Sequence, residues 1–234
     1  MKRRPGFLYL LLFGTIPSVG VAQTVAVATV DQGGRGTGFA LSVGDFSGGL
    51  GPGGAPEGWQ LVRRAGIPRL RAALDGAIPA LEMSCADASF GLRRKLAVDL
   101  GAYPRLSWKW RVDKLPTGGD FRSARADDQA AQLYVAFPGM RAIGYLWETE
   151  APEGTSGDAI GIPPFARVKV IVVRSGKADA GRWMTEERDL NADYRRLFGE
   201  APPGLKAIGM QMYINSQHTG TVAACAFADI AFLN

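Results

Sequence analysis

The sequence predicts a mainly β protein, an antiparallel β-sandwich with one short surface helix near residues 189–198. Two observations support this. Short runs that alternate apolar with polar residues, or are rich in β-branched residues, recur from residue 59 onward. Turn-forming clusters of Gly, Pro, Asp and Ser separate these runs. With 234 residues, of which 47% are hydrophobic, the chain is long enough to bury one sizeable core.

Eight runs carry the strand signal. They are residues 80–85, 92–100, 106–112, 132–137, 143–147, 167–174, 207–214 and 222–232. One segment differs, because its apolar residues recur at helical spacing: Leu190, Tyr194, Leu197 and Phe198. Gly199 suits the position after a helix end, and the prolines at 202–203 prevent continuation. A single helix is therefore predicted over 189–198.

The N-terminus predicts export. Three basic residues at positions 2–4 precede an apolar stretch of 16 residues, 7–22, which ends in small residues. This is the pattern of a secretory signal peptide, and it is shorter than the roughly 20 residues of a membrane span. We expect cleavage after Ala22, with Ala28 as the alternative. The protein would then be periplasmic or secreted, with no integral membrane span.

Export changes the charge balance. The signal holds three of the 27 basic residues and none of the 22 acidic ones, so cleavage lowers the net charge from +5 to +2. A nucleic-acid partner is therefore not expected on overall charge. Residues 23–58 are rich in Gly and are predicted as a loop-like leading segment, followed by a single sandwich domain over 59–234.

An oxidising compartment also affects the cysteines. Cys85 and Cys225 form an even pair, and export predicts one disulfide between them. The alternative is two buried thiols that pack as small apolar side chains.

Period-2 alternation assigns the faces of three strands. Trp108 and Trp110 fall on an apolar face, and Val168, Val170 and Val172 are the apolar set of a later strand. The opposite faces share a basic and aromatic composition: Lys109, Arg111, Gln132, Tyr134, Arg167 and Lys169. This set is either a ligand-binding face for an acidic glycan or another anion, or a charged outer face that keeps the protein soluble.

Several segments resemble the bacterial DUF3047 family. They are Phe46-Ser47, Pro56–Trp59, Leu106–Val112, Asp127–Phe137, Arg182-Trp183, Glu186–Asp189, Asp193–Arg196 and Phe198-Gly199. The family is of unknown function, so the resemblance implies no mechanism. Its strand order is similar to that of galactose-binding-like and carbohydrate-binding jelly-roll modules, which implies a fold and not an activity. Gln132 stands where the family usually has Arg, and the loop at 215–220 departs from the family's acidic, Asn-rich pattern.

The remaining candidates leave alternatives open. The pair Trp108 and Trp110 could stack on sugar rings, but burial in the core is favoured. Trp147 could border a ligand at a strand end. Asp127 and Asp128 are expected to neutralise Lys109, Arg111 or Lys169 across the sheet, and a structural Ca²⁺ is the alternative.

Catalytic motifs are weak. The only histidine, His218, is expected in a solvated loop, and no Gly-x-Ser-x-Gly turn accompanies it, so a serine triad is not predicted. A polysaccharide-active enzyme with a carboxylate pair remains an alternative, as does a structural or protein-interaction module. The favoured expectation is non-catalytic binding of cell-envelope carbohydrate, with Lys109, Arg111, Asp128, Gln132, Tyr134, Trp147, Arg167 and Lys169 as ligand-binding residues and no cofactor.

Overall fold

The computed structural model describes residues 26–29 and 38–234, and the predicted signal peptide lies outside them. The described chain forms two facing sheets, with strands numbered in chain order. Sheet A holds β1 (Ala26–Thr29), β2 (Gly38–Gly44), β4 (Arg69–Asp75), β5 (Ile78–Ala86), β7 (Arg105–Lys114), β12 (Met184–Asp189) and β14 (Val222–Leu233). Sheet B holds β3 (Gln60–Ala65), β6 (Ser89–Asp99), β8 (Ala131–Phe137), β9 (Arg141–Glu148), β10 (Ser156–Asp158), β11 (Arg167–Ser175) and β13 (Lys206–Asn215).

Strand β14 organises sheet A. It pairs with β7 along one edge, and β12 continues the sheet beyond β7. Its other edge is shared: β5 pairs with residues 222–227 and β2 with residues 230–233. Strand β5, and with it the β4–β5 hairpin, therefore ends its pairing before β2 takes its place along the same edge of β14. In sheet B the order is β10-β11-β9-β8-β13-β6-β3, with β9 and β11 parallel and the other pairs antiparallel.

The core between the sheets is aromatic. Trp108 and Trp110 of β7 are fully buried, which confirms their predicted inward face. The Trp108 ring lies 5.2 Å from that of Tyr145, and the Trp110 ring lies 5.7 Å from that of Trp147. Both partners belong to β9, so these two contacts join the sheets. Such pairs stabilise by about 0.5–1.5 kcal/mol beyond their area burial.

The helix α1 (Leu190–Phe198) confirms the prediction. The side chain of Asp189 accepts a hydrogen bond from the Ala192 amide at 2.9 Å, and Gly199 ends the helix with a φ of 78°. Tyr194 is buried with its ring 4.8 Å from that of Phe137 in sheet B. A short 3₁₀ turn, Pro203–Leu205, precedes β13. No helix among the described residues is long and apolar enough to span a membrane.

The jelly-roll-type β-sandwich with one short helix is confirmed, except that β9 and β11 pair in parallel where antiparallel pairing was predicted. All eight predicted runs lie in strands, apart from residue 100, which follows the end of β6. Six of the described strands were not predicted: β1, β2, β3, β4, β10 and β12. Strands β1 and β2 occupy part of the segment predicted as a glycine-rich loop, and β2 pairs with β14 in sheet A. Five of the six lie at sheet edges, where strands are half solvated and lack the long apolar run that made the central strands recognisable, whereas β2 lies between β1 and β14.

One face assignment is wrong. Val168, Val170 and Val172 of β11 do not point into the core between the sheets. They join a second apolar cluster on the outer face of sheet B, together with Phe121 and Leu146. A segment of the chain covers that outer face, so alternation alone could not tell which side was the interior.

The predicted disulfide is also wrong, since both cysteines are free and buried. Cys85 lies opposite Ala223, whereas Cys225 lies opposite Met83. The two cysteines are therefore a diagonal pair on neighbouring strands. The Cα atoms of such a pair are about 7–8 Å apart, which is beyond the usual Cα–Cα distance of a disulfide. Burial raises the pKa of the Cys225 thiol well above its ordinary value and also raises that of Cys85.

We expect two free thiols per chain when the purified protein is denatured without reductant and titrated with Ellman's reagent. The diagonal register keeps the sulfur atoms apart in the native sheet, so no bridge forms. A titration that finds no reactive thiol would contradict the register described here.

We expect Gly144→Ala to destabilise the protein by about 1–3 kcal/mol in urea unfolding. A Cβ at Gly144 would lie 2.4 Å from the Tyr134 ring, which packs flat on this glycine. Gly48→Ala is the matched control, because a Cβ there meets nothing within 4 Å. Equal stability of the two variants would show that the Tyr134 ring is free to move.

Candidate functional site

The predicted basic and aromatic face does not exist as one surface. Lys109 and Arg111 lie on β7, on the outer face of sheet A, whereas Gln132 and Tyr134 lie on β8, on the outer face of sheet B. The two faces are on opposite sides of the sandwich. Alternation assigned each side chain within its strand, but it could not assign strands to sheets.

The sheet B residues of the prediction are buried. Tyr134 is 3% exposed and donates a hydrogen bond of 2.7 Å to Oε1 of Gln132, which in turn donates to Asn215. Trp147 lies in the core, and its Nε1 donates to the carbonyl oxygen of Gly176. These three predicted residues therefore serve packing and an internal hydrogen-bond network, and none offers a surface to a ligand.

Arg167 and Lys169 are separated from both groups. They lie on the opposite face of sheet B from Tyr134, because Lys169 is in register with the core residue Ile143. The Lys169 ammonium bonds to Asp158 at 2.6 Å, and the Arg167 guanidinium stands over the Phe198 ring. Both support the edge of sheet B near α1.

The expected role of Asp127 and Asp128 in neutralising the sheet cations is wrong. Asp128 is fully buried and accepts hydrogen bonds from the amide and hydroxyl of Thr219, while His218 Nδ1 lies 3.1 Å away. Burial alone would raise the pKa of Asp128, but these hydrogen bonds outweigh it and hold the pKa below its usual range. The contact with Asp128 also raises the pKa of His218, which is half-buried and not the solvated residue that was expected.

Glu148 is the other buried acid at this end of sheet B. Its oxygens accept hydrogen bonds from the amides of Phe121 and Thr149, at 3.0 and 3.2 Å. Burial outweighs these bonds and raises the pKa of Glu148 to about 8. Burial also raises the pKa of Asp127 to about 6. Within the described residues, no group of three or more His, Cys, Asp or Glu could hold a metal ion.

An open site lies on the outer face of sheet A. The outward positions of β14 in this region are alanines, at 224, 226 and 228, and they alternate with the core residues Cys225 and Phe227. Longer side chains stand on both sides, on β5 and on β7. The missing side-chain volume along β14 leaves a trough, which we call the sheet A groove. Its volume is about 400 Å³, and its lining residues are Arg69, Leu70, Arg71, Glu82, Met83, Ser84, Arg111, Asp113, Ala224 and Cys225.

One row of residues crosses the groove. Arg71 is in register with Glu82, Glu82 with Ala226, and Ala226 with Arg111. At about 4.8 Å between strands, the backbones of Arg71 and Arg111 are about 14 Å apart. Ala226 in this row is fully buried, so the alanine on the floor of the groove is Ala224, and the guanidinium and carboxylate groups form the walls. Arg71 binds Glu82 with an N–O distance of 2.7 Å.

Arg111 is the most constrained side chain of the groove. Its Nε and Nη2 donate to the two oxygens of Asp113, at 2.7 and 3.1 Å, and its Nη1 donates to Asp75. The Trp183 ring lies 5.2 Å from this guanidinium, and the indole N–H of Trp183 donates to Asp75 at 2.7 Å. Asp75 is the last residue of β4. These contacts therefore hold the turn of the β4–β5 hairpin against β7 and against Trp183, which directly precedes β12, at one end of the groove.

Only Arg111 of the groove was among the predicted site residues. Lys109 lies nearby but is bonded to Asp229 at 2.8 Å and does not line the groove. A signal for the others was present: Arg69 and Arg71 alternate with Leu70, as outward and inward positions of a strand do. The hairpin that brings them beside Arg111 depends on pairing between distant strands.

The two sheets, the single helix and the groove define a jelly-roll-type β-sandwich with an open polar groove on one outer face. The particular family follows from the sequence. A family model described as "Protein of unknown function (DUF3047)" matches residues 69–231, and the chain belongs to this family. Every residue that lines the groove falls within the matched range. No curated protein matches the chain.

Solved structures with a similar fold include carbohydrate-active proteins. The xyloglucanase domain of NopAA from Sinorhizobium fredii is 9% identical, with a TM-score of 0.45, and the match covers 77% of this chain and 96% of that one. A family 11 carbohydrate-binding module from Clostridium thermocellum is 13% identical, with a TM-score of 0.42 and coverage of 85% and 96%. Endoglucanase Cel12A from Rhodothermus marinus is 8% identical, with a TM-score of 0.45 and coverage of 83% and 98%. These values are too low to transfer any site residue to this chain.

We expect the protein to lose stability as the pH rises from about 4.5 to about 8. The folded state keeps Glu148 protonated up to about pH 8, whereas the unfolded chain releases this proton near the ordinary value of 4.5. The free energy of unfolding should therefore fall by a few kcal/mol over this range, at about 1.4 kcal/mol for each unit of pKa difference.

Urea unfolding at pH 5 and pH 8 tests this expectation. In Glu148→Gln the difference between the two pH values should shrink, because the variant has no proton to release at this position. Glu150→Gln removes a neighbouring exposed carboxylate and should keep the wild-type difference. An unchanged difference in Glu148→Gln would show that Glu148 is ionised in the folded protein.

Proposed function

We propose that this protein is an exported, non-catalytic binding domain that holds a carbohydrate of the cell envelope in the sheet A groove. The observation that carries the proposal is the groove itself. It is an open trough of about 400 Å³ in which hydrogen-bond donors and acceptors alternate around a floor at Ala224. Its volume falls within the usual range of small-ligand sites.

The chemistry of the walls suits sugar hydroxyls, each of which both donates and accepts hydrogen bonds. The guanidinium groups of Arg71 and Arg111 donate, the carboxylates of Glu82 and Asp113 accept, and the hydroxyl of Ser84 does both. The ion pairs within the walls hold these groups in place before a ligand arrives. A pre-arranged site loses less side-chain freedom on binding, which favours affinity.

The groove supports binding more than hydrolysis. A glycosidase places two carboxyl groups about 5–10 Å apart on either side of the bond to be cleaved, with at least one free to transfer a proton. In the groove, Arg71 holds Glu82 and Arg111 holds Asp113, each at an N–O distance of 2.7 Å. The oxygens that would act on a glycosidic bond are thus engaged by guanidinium groups. Glu148 is buried on the other sheet and does not face the groove.

The proposed location rests on the first 22 residues. Their basic start, apolar run and small-residue end are typical of a secretory signal peptide. Export would place the groove in the periplasm or outside the cell, where envelope polysaccharides are within reach. Secretion assays of the full-length chain, with N-terminal sequencing of the exported product, test this part of the proposal.

A glycan microarray tests the ligand class. We expect the purified protein to bind one class of envelope glycan, and Arg71→Ala to weaken that binding about tenfold, the cost of one charged hydrogen bond. Arg71 is 70% exposed at its side chain, so its removal should not disturb folding. Arg105→Ala is the matched control, because Arg105 is an exposed, ion-paired residue of the same sheet that lies outside the groove.

Three outcomes would overturn the proposal. They are an absence of binding to any glycan, equal losses in Arg71→Ala and Arg105→Ala, and release of shortened products from a bound polysaccharide. The last would replace the binding function by an enzymatic one.

A further inference from the structure

The charges that line the sheet A groove do not cancel evenly. Glu82 is held by Arg71, and that pair is neutral. Arg111 is held by Asp113 and also by Asp75, which ends β4 outside the lining residues. Arg69 is the third arginine of the lining, so the lining residues carry one positive charge more than their two carboxylates balance.

Arg69 differs from the other two arginines of the groove. It is exposed, and within residues 26–29 and 38–234 it has no hydrogen-bond or ion-pair partner. Its positive charge is thus available to a ligand, whereas those of Arg71 and Arg111 are already engaged by carboxylates.

The position of Arg69 places this charge beside a hydroxyl. Arg69 is in register with Ser84, and Ser84 with Ala224. These three residues form a second row across the groove, two positions along the strands from the row of Arg71, or roughly 7 Å away. Ala224 follows Ser84 in this row and leaves space beside the Ser84 hydroxyl, so an anionic group can lie there within reach of the Arg69 guanidinium.

From this arrangement we propose that the groove selects a carbohydrate that carries a carboxylate, a uronic acid, and that Arg69 with Ser84 binds that carboxylate. This inference rests on the proposed function, since it names the class of sugar that the same groove takes. Arginine offers two parallel N–H donors that match the two oxygens of a carboxylate.

Among the described residues that line the groove, Arg69 is the cation without a carboxylate partner, and its one charge balances a single negative charge. This favours a carboxylate over a phosphate monoester, which carries nearly two charges near neutral pH. The walls around Arg71, Glu82 and Arg111 would contact the neutral hydroxyls of the same or the next sugar unit.

Calorimetric titration with matched sugars tests the inference. The probes are oligomers of galacturonate, glucuronate and mannuronate, each compared with its own methyl ester, which has the same ring and no charge. We expect at least one acid form to bind at least ten times more tightly than its ester, and the preference to weaken with added salt.

Arg69→Ala should remove that preference. The variant should bind the acid form no better than the ester, because the loss of affinity should fall mainly on the acid form. Because Arg69 has no partner among the described residues, its loss should not alter the melting temperature. Arg105→Ala should keep the full preference, and Arg69→Lys should keep part of it, since the charge remains but the fork is lost.

The outcomes separate the two proposals. If acid and ester bind equally and Arg71→Ala weakens both, the groove binds carbohydrate but the inference about the carboxylate is wrong. If neither form of any oligomer binds, the carboxylate inference is wrong, and the microarray decides whether the proposed function falls with it. A preference for the acid form that survives in Arg69→Ala would also overturn the role of Arg69.

Discussion

The structure depends on the aromatic contact between the two sheets. Trp108 and Trp110 of β7 meet Tyr145 and Trp147 of β9, with ring centres 5.2 and 5.7 Å apart. Large rings on one side of β7 fix which side of that strand faces the interior, because side chains alternate. Arg111 therefore has to face outward.

The open groove follows from a second constraint, the use of alanine on the outer side of β14. A strand in the middle of a sheet normally presents longer side chains on its solvent face. Here the outward side chains at 224, 226 and 228 are alanines, Ala224 lines the open groove, and the neighbouring strands supply the charged walls. The outer face of sheet B differs, because a second apolar cluster covers it. The molecule thus has one open sheet face with a groove and one covered face with buried acids.

Much of the fold could be predicted because the positions of its central strands and of its helix follow from local sequence patterns. The alternation of β7 gave the correct faces for Trp108 and Lys109, and Gly199 with the prolines at 202–203 gave the C-terminal end of α1. The candidate site could be predicted only in part. Arg111 was identified, but Tyr134 was assigned to the same surface, since alternation does not say which sheet a strand joins. Val170 was assigned inward for a related reason, because a covered outer face has the same apolar pattern as a core.

The sequence by itself determined eight of the described strands, where the helix lies and which side of β7 is apolar, since these properties follow from side-chain order within a few residues. Only the tertiary structure decided that β7 and β8 belong to opposite sheets, that Cys85 and Cys225 are out of register, and that Arg69 lies across a groove from Arg111. Those relations depend on pairing between strands far apart in the chain. No local periodicity encodes such pairing, which is fixed by the packing of both sheets around one shared core.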